Sequence, residues 1–286
     1  MLVNKYKLLE KIGEGKFGFV YKGEYVKTSE PVAIKMEQLN SPIKLLKHET
    51  TILNYLHNNK CRSIPSVYWY GVYQETTSLV MSYYNISLFD YASDIALTET
   101  KINRIMWKVI DIFENIHSHG VIHRDIKPQN FMIKDDELFL IDFGLSNIYI
   151  DEDHTHNIAQ NDTVFITGTP KYISTHIHSG KHPSRRDDLI SAAYMYLFLL
   201  TGYLPWETIA NVPHGCEYPE NHILHYKNQE RARCKKIESL IPLCNTINMK
   251  LVSFIDNVYS LEYQDTPKYL TLKHLFGTND MKLRNF

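Results

Sequence analysis

Three stretches of this 286-residue chain carry side chains whose types and spacing suit work on phosphate. In Gly13-Glu14-Gly15-Lys16-Phe17-Gly18-Phe19-Val20, three glycines sit between two apolar runs, and backbone without Cβ atoms can close on a phosphate group. Alone, the pattern is weak. A Rossmann-type dinucleotide site needs such glycines to open a helix, with an acidic residue about 20 positions on. Here a second strand follows instead, then Val32-Ala33-Ile34-Lys35. A lysine buried there can pair with nucleotide phosphates if a carboxylate holds it, and Glu49 on the next predicted helix is the candidate. The third stretch is His123-Arg124-Asp125-Ile126-Lys127-Pro128-Gln129-Asn130, followed twelve residues after Asn130 by Asp142-Phe143-Gly144. Strand-like runs at 131–133 and 138–141, turning at 134–137, predict a hairpin that brings Asn130 and Asp142 together. Both are hard oxygen donors of the kind Mg²⁺ prefers, phosphates and water completing its shell. Asp125 is left free of metal, to accept a hydroxyl proton or to orient the hydroxyl.

Hydrophobic periodicity outlines the scaffold these groups need. Residues 6–12, 19–25, 31–36, 67–72 and 78–81 read as strands, and 43–56 carries Ile43, Leu46, Ile52, Leu53 and Leu56 at helical spacing. From residue 87 onward the periods are helical, notably at 98–119 and 188–200, interrupted by the strand-rich 131–142. An α+β class follows, with a small β-rich lobe (1–81), a hinge (82–85) and a larger, mainly α-helical lobe (86–286). The nearly uncharged run 189–206 offers only about 14 residues before Thr201-Gly202, against roughly 20 needed to cross a bilayer, so it is expected as a buried helix.

Composition narrows the classes further. Hydrophobic residues at 44%, charged at 22%, with 12 Gly and 11 Pro, exclude collagen-like and disordered chains. A balance of 31 basic against 32 acidic residues argues against a chain built to coat nucleic acid or anionic membrane, and neither is expected as a direct partner. Cys61, Cys216, Cys234 and Cys244 lie far apart, which excludes a zinc ribbon or a dense disulfide framework. His154, His156, His176, His178 and His182 cluster without a Cys or carboxylate at ligand spacing, and are expected to be solvated, not metal-bound. Residues 1–10 lack the apolar core of a secretory signal, so an intracellular, cytoplasmic or nuclear, location is expected.

In order and spacing these motifs resemble a eukaryotic-type protein kinase. Lys127, two residues after Asp125, and Thr169 in Gly168-Thr169-Pro170 resemble its serine/threonine branch. Gly168-Thr169-Pro170-Lys171-Tyr172-Ile173-Ser174, Ser184-Arg185-Arg186-Asp187-Asp188-Leu189 and Leu204-Pro205-Trp206 are similar to the casein kinase 1 family, as is Ser260-Leu261-Glu262-Tyr263-Gln264-Asp265-Thr266-Pro267-Lys268-Tyr269. Ser174-Thr175-His176 stands where most kinases carry Ala-Pro-Glu, a triplet that casein kinases 1 also lack.

The resemblance implies a bilobal protein kinase fold that uses ATP and Mg²⁺ to phosphorylate Ser or Thr of protein substrates, as a monomer. It implies a catalytic set of Asp125, Lys127, Asn130 and Asp142, with Asn130 and Asp142 on the metal and Lys127 offsetting charge on the moving phosphoryl group. ATP would be lined by Ile12, Gly13, Glu14, Gly15, Gly18, Val20, Ala33, Lys35 and Glu49. Met81 stands as gatekeeper, the backbone of Ser82 and Tyr84 meets adenine, and Asp90 reaches the ribose. Asp188 would accept backbone hydrogen bonds from the His123-Arg124 turn. Lys171, Arg185 and Lys235 would form an anion pocket favouring acidic or pre-phosphorylated substrates; Arg186 would either join it or tie the activation segment down. The alternative is a catalytically inactive kinase-fold scaffold that binds nucleotide and partner proteins.

Overall fold

The computed structural model describes residues 5–15, 18–151, 153, 155–157, 166–207 and 220–277. In chain order the elements are β1 (Tyr6–Gly15), β2 (Gly18–Tyr25), β3 (Pro31–Gln38), α1 (Leu45–Asn58), β4 (Val67–Tyr73), β5 (Thr76–Ser82), β6 (Ile86–Ser87), α2 (Leu88–Asp94), α3 (Glu99–Ser118) and β7 (Val121–Ile122). There follow β8 (Phe131–Lys134), β9 (Glu137–Leu140), β10 (Asn147–Ile148), α4 (Thr175–His178), α5 (Arg185–Thr201), α6 (Glu220–Cys234), α7 (Ile237–Asn245), α8 (Met249–Tyr259) and α9 (Tyr269–Phe276). They group into two compact units, Met1–Leu88 with Asn130–Ser146, and Phe89–Gln129 with Asn147–Phe286.

The first unit is built on an antiparallel sheet in the order β1-β2-β3-β5-β4. Period-2 alternation divides its faces. Val32 and Ile34 of β3 join Tyr6 and Val80 in one core, while Ala33 packs on the other face with Leu79, Met81 and Leu46 of α1. Lys35, in register with Leu79 and two residues after Ala33, therefore points to the α1 side. In α1 the buried stripe is Leu46, Glu49, Thr50, Ile52, Leu53 and Leu56, so a glutamate occupies a core position of an amphipathic helix. The helix starts two residues later than periodicity suggests, and Ser41 Oγ donates to Ile43 O at 3.0 Å, holding the chain before it in a turn. The segment Asn130–Ser146, which the sequence reading keeps with the helical lobe, groups with this first unit. Its hairpin β8-β9 pairs with β6, and Leu140 N donates to Ser63 O at 2.9 Å.

In the second unit α5 is buried from Arg185 to Leu199. A helix apolar on nearly every side belongs in the middle of a large core, and it packs against α3 and α8. It begins three residues before the apolar run, because Ser184 N donates to Asp187 Oδ2 at 2.8 Å and so opens the first turn early. Gly202, at φ 79°, ends it in left-handed backbone, its N–H reaching Phe198 O at 2.7 Å. Among the described residues no helix is long and apolar enough to cross a membrane.

Candidate active site

The sheet of the first unit lines up most of the residues expected at a nucleotide. Gly13 pairs with Val20, Val20 with Lys35, and Ala33 with Met81, so they neighbour one another across strands. Glycine is required at Gly18, where an added Cβ would fall 2.0 Å from Met36 O; at Gly15 it would meet nothing within 4 Å, leaving open space over the hairpin. Lys16 and Phe17 lie outside the described residues. Ile12 is exposed, as is Glu14, which pairs with Lys11. Tyr84 is buried and stacks on Phe139 at 4.6 Å between ring centres, and Ser82 N donates to Ser66 O at 3.1 Å. Asp90, in α2, is exposed and belongs to the second unit.

Lys35 is the hub of the first unit. Its Nζ donates to Glu49 Oε1 and Oε2 at 2.7 and 3.0 Å and to Asp142 Oδ1 at 2.7 Å. The two carboxylates differ in setting: the Glu49 side chain is 2% exposed and that of Asp142 46%. Burial pulls the Lys35 pKa down, but Asp142 and Glu49 more than offset it, and the net shift is upward, so the lysine stays an ammonium. Burial pushes Glu49 up, with the Lys35 ammonium opposing it. Glu49 Oε1 also accepts Phe143 N at 3.3 Å, anchoring the turn that carries Asp142, whose φ is 69°. Asn130 sits across the hairpin, its carbonyl accepting Ile141 N at 2.8 Å. A half-exposed carboxylate and a side-chain amide at neighbouring hairpin ends are an oxygen donor set that fits Mg²⁺.

In the second unit, Asp125 Oδ1 accepts the N–H and hydroxyl of Thr169 at 3.0 and 2.7 Å, and its Oδ2 accepts Lys127 Nζ at 2.6 Å. Lys127 Nζ also reaches Thr169 Oγ1 at 3.1 Å, closing a triangle. Gly168 is needed for this approach: its φ is 98°, and a Cβ would lie 2.5 Å from Arg124 O. Asp188, 2% exposed, accepts His123 N and Arg124 N, each at 2.8 Å, and His117 Nε2 at 3.0 Å. Burial pushes His117 below its usual pKa, which keeps the imidazole neutral.

The three residues expected to form an anion pocket all have partners within the protein. Lys235 is fully buried, and its Nζ donates to Ile173 O and Pro170 O at 2.7 and 2.9 Å. Arg185 is 9% exposed; its guanidinium lies on the Tyr149 ring and donates to Tyr149 OH at 3.2 Å and Gln264 O at 2.8 Å. Lys171 is paired with Glu207. Arg186 is 5% exposed and packs over Tyr263. The histidines also differ from a solvated set: His156 packs against Tyr149 and Tyr263, His178 against Lys235, while His154 lies outside the described residues.

Sequence reading missed several positioning groups. His117 occupies a buried stripe position of α3, the one local hint of its role. His48 Nε2 lies 2.7 Å from Ser146 O, beyond the Asp142 turn, and Trp206 Nε1 donates to Lys171 O at 2.7 Å. Compared with protein-family models, residues 6–275 match the protein kinase domain, and the chain belongs to that family. Its β-sheet and helical units are those of the bilobal α+β kinase fold, a phosphotransferase fold whose members generally use ATP and Mg²⁺ and act on proteins.

Proposed function

We propose that the chain is an active serine/threonine protein kinase of casein kinase 1 type, transferring the γ-phosphoryl group of MgATP to Ser or Thr hydroxyls. The observation that carries this reading is the Lys35 ammonium held at 2.7 Å from both a buried Glu49 and a half-exposed Asp142. In this role Lys35 grips the α and β phosphates, Glu49 fixes Lys35, and the hairpin of Gly13, Gly15 and Gly18 covers them. Asn130 and Asp142 would hold Mg²⁺, which when bound screens the phosphate charge. Asp125 orients the acceptor hydroxyl or takes its proton, and Lys127 offsets charge on the group in transit. The triangle of Asp125, Lys127 and Thr169 supports the serine/threonine assignment.

Support for the casein kinase 1 type comes from three separate stretches similar to that family, which are bonded to one another here. Trp206 Nε1 reaches Lys171 O, and Ser174 Oγ donates to Asp187 Oδ1 at 2.5 Å. A preference for acidic or pre-phosphorylated substrates finds no support in Arg185 or Lys235, whose cations are engaged inside the protein, and Glu207 neutralises Lys171. Incubation with casein and γ-labelled MgATP is the test. The wild-type chain should transfer label, and Asp142→Asn and Lys35→Met should abolish transfer with unchanged circular dichroism. Wild-type transfer by either variant would contradict the assignment; nucleotide binding by the wild type without transfer would establish the scaffold instead.

A further inference from the structure

Lys235 follows the last turn of α6, where it is 0% exposed. Its nitrogen donates to Ile173 O at 2.7 Å and Pro170 O at 2.9 Å and lies 3.1 Å from His178 Nε2. The nitrogen also lies 4.9 Å from the Tyr194 ring centre and 5.3 Å from that of Trp206, where ring faces favour a cation. Burial, with the Arg231 charge, pushes its pKa well down, and charged or neutral the nitrogen keeps N–H groups for the Ile173 and Pro170 carbonyls. The backbone of Lys235 is itself fixed, because its carbonyl accepts Tyr259 OH at 2.7 Å.

What the Lys235 nitrogen grips is the segment that carries Thr169. Lys235 takes the carbonyls of Pro170 and Ile173, Trp206 Nε1 takes that of Lys171, and the N–H groups of Tyr172 and Ile173 turn back to Thr169 O at 2.8 and 3.1 Å. Thr169 in turn bonds Asp125 through its hydroxyl and its N–H. We propose that Lys235 is a positioning residue for phosphoryl transfer, holding residues 170–173 so that Thr169 sets the Asp125 carboxylate, with Trp206 as the second arm of the same clamp. The segment cannot swing without leaving buried N–H groups of Lys235 and the indole N–H unpaired, which makes the clamp rigid. This rests on reading Asp125 as the group that handles the acceptor hydroxyl.

The test compares the full-length wild type with Lys235→Met, Trp206→Phe and Lys236→Met. It measures kcat and KM for ATP with casein as acceptor, and hydrogen exchange at the amides of Tyr172 and Ile173. Lys235→Met should lower kcat on the order of 10- to 100-fold, the scale of small misplacements in a catalytic constellation. Its KM for ATP should stay within about twofold, since the phosphates are assigned to Lys35 and the glycine hairpin. Trp206→Phe keeps a ring and loses one donor, so kcat should fall less, by about 3- to 10-fold. Both should speed exchange at the two amides. Lys236→Met, an exposed neighbour, should match wild type. Wild-type kcat from Lys235→Met or Trp206→Phe overturns the proposal, as does a fall in which KM for ATP rises in step. If Lys235→Met does not fold, Trp206→Phe decides alone by the same criteria. A wild type that transfers no phosphate counts against the kinase reading; exchange then judges the clamp, and unchanged protection of Tyr172 and Ile173 in both clamp variants overturns it.

Discussion

Replacing Asp188 by asparagine leaves its shape almost unchanged and removes one acceptor, so its effect can be worked out from the bonds it makes. Oδ1 accepts Arg124 N at 2.8 Å, while Oδ2 accepts His123 N at 2.8 Å and lies 3.0 Å from His117 Nε2. Asparagine has one acceptor oxygen and an NH₂ group. With the oxygen in the Oδ2 position, the Arg124 N–H faces another donor; with the amide reversed, the His123 N–H does. At least one buried donor is therefore orphaned, at about 1–3 kcal/mol, and the remaining bonds lose the charge that strengthened them. A total of about 2–4 kcal/mol is a large part of the roughly 5–15 kcal/mol that holds a domain together. At roughly 2–4 °C per kcal/mol for a chain of this size, the melting temperature should drop by about 5–15 °C. Because His123 and Arg124 immediately precede Asp125, kcat on casein should also fall, by about tenfold or more, when assayed well below the lowered melting point. Calorimetry and steady-state kinetics on the same preparation measure both effects. A melting temperature within about 1 °C of wild type, together with kcat within about twofold, would mean that the carboxylate does not hold this turn.

Glu49→Gln keeps an oxygen for Phe143 N but leaves Lys35 with Asp142 as its one charged partner, drawing Asp142 off its other tasks; KM for ATP should rise about tenfold or more, and an unchanged KM would remove Glu49 from the site. Acid should weaken the fold before the carboxylates titrate. Burial holds His176 at about 4 and His178 at about 3, and His117 below 6.5. Below about pH 6.5 the unfolded chain binds protons that these folded groups refuse, so stability falls as pH drops towards 4. Asp187, which burial raises to about 6, and Glu49, also raised by burial, have the opposite sign, but they are two groups against four histidines once His156, lowered by burial, is included. Urea melts should give a lower midpoint at pH 5.5 than at pH 7.5; an equal or higher midpoint would refute the sign.

Much of this site is legible locally because its residues follow from short-range periods. Lys35 alternates with Val32 and Ile34 on a strand, so it must face away from the core those two enter. Glu49 interrupts the stripe Leu46, Leu53, Leu56, and a carboxylate at a core position of a helix calls for a buried cation. The hairpin between Asn130 and Asp142 follows from its length. The basic residues misled for the converse reason. Lysine and arginine are taken as exposed unless a carboxylate is at hand, yet Lys235 is satisfied by carbonyls and ring faces from residues 170–173, 194 and 206. Arg185 donates to a carbonyl 79 positions away. Backbone carbonyls are present at every residue, so no sequence pattern marks the ones that will receive a cation.

Each unit also places a non-glycine residue in left-handed backbone beside its chemistry, Arg124 at φ 69° before Asp125 and Asp142 at φ 69°. Such conformations cost about 1–3 kcal/mol each and persist where surrounding bonds over-determine them. The bonds in question are alike: a buried carboxylate on a helix, Asp188 on α5 or Glu49 on α1, accepts the N–H of the strained residue or of the next one. Both carboxylates also hold a basic side chain, His117 in one case and Lys35 in the other. The strained turn and the basic side chain are thus fixed by the same carboxylate, and loosening one should loosen the other. That coupling explains why a helix residue with no contact to substrate should act on kcat, and it separates Asp188 and Glu49 from buried acids such as Asp187. The bonds of Asp187 go to Ser174 Oγ and Ser184 N, and its loss should cost stability well before it costs turnover at Asp125.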